Sequence, residues 1–191
     1  MKKFILLLLC LNVIPAIAQK QSTWKADPNH SRLSFGITHL GIATIDGNFT
    51  KFTATATTTY ADFSDAVFEM TAETASIDTD VEARDKHLRS ADFFNVEKHP
   101  KMTFKSTAIK KTDTDKYQLF GLLTMNGISK SVTLDLWYRG QLVNPQSNAT
   151  TAGVQVTGTI KRSDFNIGPK FAPPMLSDEV WIRADCEFIR Q

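Results

Sequence analysis

The sequence predicts an all-β protein: an eight-stranded antiparallel β-barrel with one short helical segment near residues 79–95. Three observations carry that reading. Apolar and polar residues alternate with period two in about eight separate runs. The runs are joined mostly by short turn-like segments, with no regular strand–helix alternation of the kind that builds a parallel sheet. Several runs approach ten residues, against the usual five or six. Tall strands closed on themselves enclose a space about wide enough for one slender molecule.

The first run places Leu33, Phe35, Ile37 and His39 on one face, with Arg32, Ser34, Gly36 and Thr38 on the other. Phe52, Ala54, Ala56, Thr58 and Tyr60 share the next face, followed by Phe68, Met70, Ala72, Thr74 and Ser76. Met102, Phe104, Ser106 and Ala108 form a fourth run and Leu119, Gly121 and Leu123 a fifth. Asn126-Gly127 is a tight-turn signal between the fifth run and a sixth, Val132 to Tyr138. Val154, Val156, Gly158 and Ile160 form the seventh, and Val180, Ile182, Ala184, Cys186 and Phe188 the last. A two-sheet sandwich shares this periodicity, which does not separate the two folds.

The inward positions include Ala54, Ala56, Ala72, Thr74, Gly121, Gly158 and Ala184 among larger Phe, Leu, Val and Met. Small residues leave volume, so the pattern reads as an apolar tunnel. The competing reading is that neighbouring large side chains fill the gaps.

The stretch "SIDTDVEARDKHLRSADFFNVEKHP" breaks the rhythm. Thr79 followed by Glu82 fits a capping box. Val81, Arg84, Asp85 and Leu88 then share one helical face. Ser90 can cap a second turn presenting Phe93 and Phe94, and Pro100 ends the region. Arg84 and Asp85 read either as an ion pair or as a polar gate over the barrel mouth.

The chain has 191 residues, the length of one domain. Lys2 and Lys3, the apolar run from Phe4 to Ile14 and the small-residue site Ala16-Ile17-Ala18 predict a secretory signal peptide, residues 1–18, cleaved after Ala18. Lipidation at Cys10 is disfavoured by Leu9, where a small residue is needed. The expectation is one exported domain over residues 19–191, periplasmic or secreted. Loss of the two leader lysines takes the 22 basic residues to 20, against 20 acidic ones. A formally neutral chain argues against a nucleic-acid partner, which needs a basic surface, and leaves room for a local basic patch. Cys186 is then the sole cysteine, which excludes an internal disulfide and reads as a small buried apolar residue.

No metal or catalytic constellation emerges. His30, His39, His87 and His99 form no H-x-H or H-x-x-x-H pair. There is no G-x-S-x-G elbow and no Cys–His arrangement. His39 with Asp85 is the one polar pair that can be nominated for an enzyme.

Several longer stretches carry a family pattern: "WKADPNHSRLSFGITHLG", "IDTDVEARDKHLRSADFFNVEKHPKMTFKST", "GLLTMNGISKSVTLD", "IKRSDFNIG" and "SDEVWIRADCEF", in this order. Together they resemble the YceI-like family of exported polyisoprenoid-binding proteins, from about Trp24 to Phe188. The resemblance implies an extended lipocalin-like barrel holding a long amphiphile: an isoprenoid quinone, a polyprenyl phosphate, or a fatty amide or acid. It implies no catalytic residue and no required cofactor beyond that bound lipid. Inward parity then nominates Phe35, Ile37, His39, Met70, Met102, Leu123, Leu134, Val156 and Ile160 as ligand contacts. Phe49, Phe93 and Phe94 are candidates to line or close the space, and Arg84 and Asp85 to stand at the mouth.

The sequence departs from the family pattern at "GPKFAPPMLSDEV", a Pro-rich apolar loop that reads as a connector, a flap or a membrane-touching tip. Carriage or storage of a lipid is the expected function, with the helix Thr79–Ser90 and the loop Gly168–Ser177 as candidate opening elements. Transient membrane contact and homodimer formation through barrel edges are the further partner expectations. An enzyme acting on an exported lipid or quinone, and a ligand-free interaction module, are the rival classes.

Overall fold

The computed structural model describes residues 20–191. The expected leader, residues 1–18, lies outside the described residues. The described residues form eleven strands in a single antiparallel sheet. In order they are β1 (Ser22–Ala26), β2 (Arg32–His39), β3 (Ala43–Phe49), β4 (Phe52–Thr58), β5 (Val67–Glu73) and β6 (Ile77–Asp78). The helix α1 (Glu82–Arg89) follows, then β7 (Lys101–Asp113), β8 (Lys116–Met125), β9 (Ile128–Val143), β10 (Thr150–Lys161) and β11 (Leu176–Arg190).

The sheet closes into an eight-stranded barrel in the order β1-β4-β5-β7-β8-β9-β10-β11, with β1 returning to β11 through Trp24 opposite Arg190 and Ala26 opposite Phe188. Above this ring, β2 continues the line of β1 along the upper half of β11, β3 pairs with β2, and β6 pairs with β3. Three of the barrel's staves are therefore broken in two. The breaks fall at residues 27–31, at Thr50-Lys51 and at a 3-10 turn over Thr74–Ser76.

Each of the eight expected runs corresponds to one stave, namely β2, β4, β5 and β7 to β11. The strands β1, β3 and β6 were not expected. They are the other halves of the broken staves, and each is too short or too polar to alternate visibly. Asp46-Gly47-Asn48 interrupts β3, for example. The Asn126-Gly127 turn is as expected, with φ of 48° and 74°, the left-handed pair that a two-residue hairpin requires.

The lower end of the barrel is filled. Phe63, fully buried, sits under it against Trp24 and Tyr138, each with ring centroids 5.1 Å away, and Phe68 packs 6.3 Å from Phe63 and 6.0 Å from Phe188. The loop carrying Phe63 is tied down by Asp65, whose carboxylate accepts from Thr58 Oγ1 and from the backbone N–H groups of Thr59 and Tyr60. Tyr117 closes the same end, its hydroxyl donating to the Asp62 carbonyl at 2.8 Å. Burial pushes the Tyr117 pKa up to about 12, so it remains a donor at any physiological pH.

At the upper end β6 pairs only with β3 among the described strands, and the chain between β6 and β7 forms α1 and the turns that follow it. Arg89 holds α1 in place by donating to the carbonyls of Ala75 and Ile77. The expected capping box is not formed. The helix starts at Glu82 behind Val81, which offers no side-chain cap. Thr79 is instead occupied by Asp85, as described below.

Candidate functional site

The upper half of the barrel is hollow. A cavity of about 360 Å³ lies between α1, the loop 167–176 and the inner faces of the surrounding strands. Its size falls in the ~300–1,000 Å³ range of ligand pockets. A second space of about 90 Å³ continues it downward, and Leu33, Met70, Leu123 and Ile182 line both. The two run along the barrel axis and stop at the aromatic floor, where Phe68 and Phe188 also line the lower space.

The strand pleat delivers the walls. On β2, Phe35, Ile37 and His39 face inward, and the register sets Ile182, Val180 and Leu176 of β11 opposite them. Phe49, at the end of β3, lies 5.7 Å from Phe35 and meets Phe94 edge-on at 5.6 Å. Met70, Met102, Leu123 and Ile160 enter the upper cavity from β5, β7, β8 and β10. Leu134 and Val156 line the lower one, with Met70 and Leu123. Arg84, Phe93 and Phe94 close the top from α1 and the turn after it.

The small inward residues do not all leave space. A Cβ on Gly121 would fall 2.4 Å from the Phe104 ring, and one on Gly158 would fall 2.5 Å from Leu134 Cδ2. At these two positions the large neighbour fills the gap. The free volume lies higher, among residues that are themselves large.

Asp85 is the nominated residue that lines neither cavity. It is buried, and its carboxylate accepts from the Thr79 backbone N–H and the Thr79 hydroxyl. Nor does it pair directly with Arg84. Arg84 donates Nε to Thr79 Oγ1 and Nη2 to the Thr79 carbonyl, so Thr79 stands between the two charges. The pair His39 and Asp85, the one nominated for enzymatic chemistry, is accordingly not brought together at the cavity. Among the described residues no group of three or more His, Cys, Asp or Glu could hold a metal ion.

Five residues of the lining were not nominated from the sequence. Arg162, in a 3-10 turn after β10, is buried and lines the upper cavity. It donates to the carbonyls of Ser177, Ile167, Gly168, Phe171 and Leu176, and so organises the whole Pro-rich loop from its own side chain. His87 lies edge-on to Phe93 at 5.0 Å and to Phe171 at 5.6 Å. Phe171 and Met175 bring the loop into the cavity wall. Their one signal in sequence was the apolar content of that loop. Cys186 lines the lower space as a buried side chain, and burial pushes its thiol pKa up to about 11, well away from reactivity.

The comparisons with known proteins agree with this architecture. The model of the YceI-like domain matches residues 24–188. A UPF0312 protein of Pectobacterium atrosepticum is 40% identical over 190 residues, covering 96% of this chain and 97% of that one. The protein YceI of Escherichia coli is 40% identical over 162 residues, 85% of this chain and 83% of its own length. Among solved structures, BcnA of Burkholderia cenocepacia superposes with a TM-score of 0.77 at 26% identity, over 85% of this chain and 98% of that one. The YceI protein of Campylobacter jejuni superposes at 0.73 with 27% identity, over 100% and 99%. A barrel with this strand order, hollow above and plugged below, together with a domain match that begins in β1 and ends in β11, leads to one assignment: the chain belongs to the YceI-like family.

Proposed function

We propose that this protein is an exported binder of a long amphiphile, an isoprenoid such as a quinone or polyprenyl phosphate, or a fatty amide or acid, held for carriage or storage. The observation that carries this reading is the pair of adjoining apolar cavities, roofed by α1 and stopped below by aromatic rings. Each CH₂ withdrawn from water into such a space is worth ~0.8 kcal/mol, so a long chain binds with few polar contacts. The occupant's chain runs down the axis and its head group stays at the mouth. The apolar lining and the separation of His39 from Asp85 favour binding over turnover.

A structure described as a polyisoprenoid binding domain from Saccharophagus degradans shares the fold, with a TM-score of 0.67 at 13% identity. That likeness supports the barrel and is compatible with an isoprenoid occupant here. Export to the periplasm or beyond follows from the leader reading of residues 1–18. No helix among the described residues is long and apolar enough to cross a membrane.

Loading from a membrane suits the rim. Ile42 is 86% exposed at the β2–β3 tip, and its neighbour Leu40 donates its backbone N–H to the Met175 carbonyl at 3.1 Å, joining two apolar tips beside the mouth. A homodimer that meets at the same rim is the competing use, and it would hide this surface.

Native mass spectrometry of the protein purified without detergent tests the reading. A stoichiometric apolar adduct, released by organic extraction, is the expected result. An empty protein that takes up neither quinones, polyprenyl phosphates nor fatty amides overturns it in favour of a ligand-free interaction module. The same spectra report a monomer or a dimer.

A further inference from the structure

We propose that the mouth of the upper cavity selects an anionic head group, a phosphate or a carboxylate on a long apolar chain, over neutral and cationic ones. The inference rests on the amphiphile-binding reading above and narrows its substrate class. Its basis is the sign of the charge around the cavity. The titratable side chains in the lining are His39, Arg84, His87 and Arg162, and no Asp or Glu is among them.

These four groups are gathered at one end. Leu176 is the register partner of His39, and its carbonyl accepts from Arg162 Nη2. Arg162 also holds the Phe171 carbonyl, and the Phe171 ring lies 5.6 Å from that of His87. His87 is one helical turn beyond Arg84 on α1. The apolar walls lie below them, so an amphiphile with its chain in the barrel has its head among these groups.

The neighbouring carboxylates stand behind this layer and outside the lining. Asp85 is turned to Thr79. Asp178 accepts from the Ser163 backbone N–H and hydroxyl. Asp92 faces Lys170 at 2.7 Å and His87 Nε2 at 3.5 Å from the outer side. No carboxylate lies within ion-pair distance of Arg84 or Arg162 among the described residues.

Arg162 is satisfied by carbonyl oxygens, which accept its protons but carry no net charge to cancel its own. Its contribution is a field. Arg84 has Nε and Nη2 committed to Thr79 while Nη1 has no partner among the described residues, so it is the group that can donate directly. An unpaired cation against apolar surroundings is costly, and an anion seated beside it offsets that cost. The attraction is stronger there than in bulk water because the effective dielectric constant is lower. A neutral head leaves both guanidinium groups without an ion-pair partner.

The test uses protein freed of endogenous lipid and two matched ligand pairs. One is oleate with oleyl alcohol. The other is a polyprenyl phosphate with the polyprenol of the same length. The expected result is a Kd at least tenfold lower for the anionic member of one pair or both, and the pair that shows it identifies carboxylate or phosphate as the head. Arg84→Gln should bring the ratio toward one. The same loss of charge on the outer face of α1, Lys86→Gln, should leave the ratio as it was. Equal affinity within both pairs overturns the anionic assignment and leaves the binding function standing. A preference that survives Arg84→Gln undiminished overturns the assignment of direct donation to Arg84. Failure to bind any of the four ligands overturns the binding function and the assignment together.

Discussion

The ring of Phe171 is stacked on the ring of Phe93, with centroids 5.0 Å apart and planes 20° from parallel. One belongs to the loop after β10 and the other to the turn after α1, so this contact latches the two segments at the mouth to each other. The backbone reinforces it, with Gly168 N–H donating to the Asp92 carbonyl at 3.0 Å. Such an aromatic pair is worth ~0.5–1.5 kcal/mol beyond its buried area. Phe171→Ala should therefore speed ligand release by roughly 2–10-fold with little loss of stability. Stopped-flow displacement of a fluorescent fatty acid measures it. An unchanged off-rate would mean that the loop is not the part that opens.

The lower cavity sets how much chain fits. Val156→Phe should fill much of its volume of about 90 Å³. Exclusion of even two CH₂ groups removes ~1.6 kcal/mol, about tenfold in Kd. Long-chain ligands should weaken by that factor while short ones bind as before. A chain-length series of Kd values checks this, and uniform weakening at all lengths would show that the chain does not reach Val156.

The aromatic floor is a stability element as well as a stop. Phe63 is fully buried against Trp24, Phe68 and Tyr138. Phe63→Ala should cost about 3–5 kcal/mol. The outward Asp135→Ala should stay within about ±0.5 kcal/mol. Urea denaturation followed by tryptophan fluorescence gives both numbers.

The break between β1 and β2 is stapled by His30 Nδ1 and the Asp27 carboxylate at 2.7 Å. The hydrogen bond to Asp27 raises the His30 pKa above 6.5, and the same bond lowers that of Asp27 below 3.8. The histidine's contribution is thus complete below its unfolded pKa and is lost as the pH rises through the raised folded value. The aspartate's is present above its unfolded pKa and is lost as the pH falls through the lowered one. The wild-type urea midpoint should decline from pH 6 toward pH 8 relative to His30→Gln, whose profile lacks this step. Parallel profiles would show that the exposed pair contributes nothing measurable. An NMR titration of His30 reads the raised pKa directly.

The reach of the sequence reading follows from what each feature depends on. Inward parity placed Phe35, Ile37 and His39 on one wall, and Met70, Met102, Leu123 and Ile160 around it, because a pleated strand alternates without reference to its partners. The same rule placed Leu134 and Val156 lower down. Asp85 was misplaced because helical spacing fixes a face but not a neighbour. Its carboxylate found Thr79, in the chain just before α1, and was taken out of the cavity. Arg162 was missed because a basic residue after a strand reads as solvated. Only the folded loop supplies the carbonyls that allow it to be buried.

By itself the sequence determined the all-β class, the one-stave-per-run count and the apolar character of the interior, since these depend on the local period of two. The tertiary structure alone decided that three staves break, that Phe63 closes one end, and that Phe104 and Leu134 fill the gaps at Gly121 and Gly158. It also decided that the titratable side chains lining the upper cavity are His39, Arg84, His87 and Arg162. The reason is physical: a strand's alternation is set by its own backbone, whereas a cavity is the space left when side chains distant in sequence have packed as closely as they can.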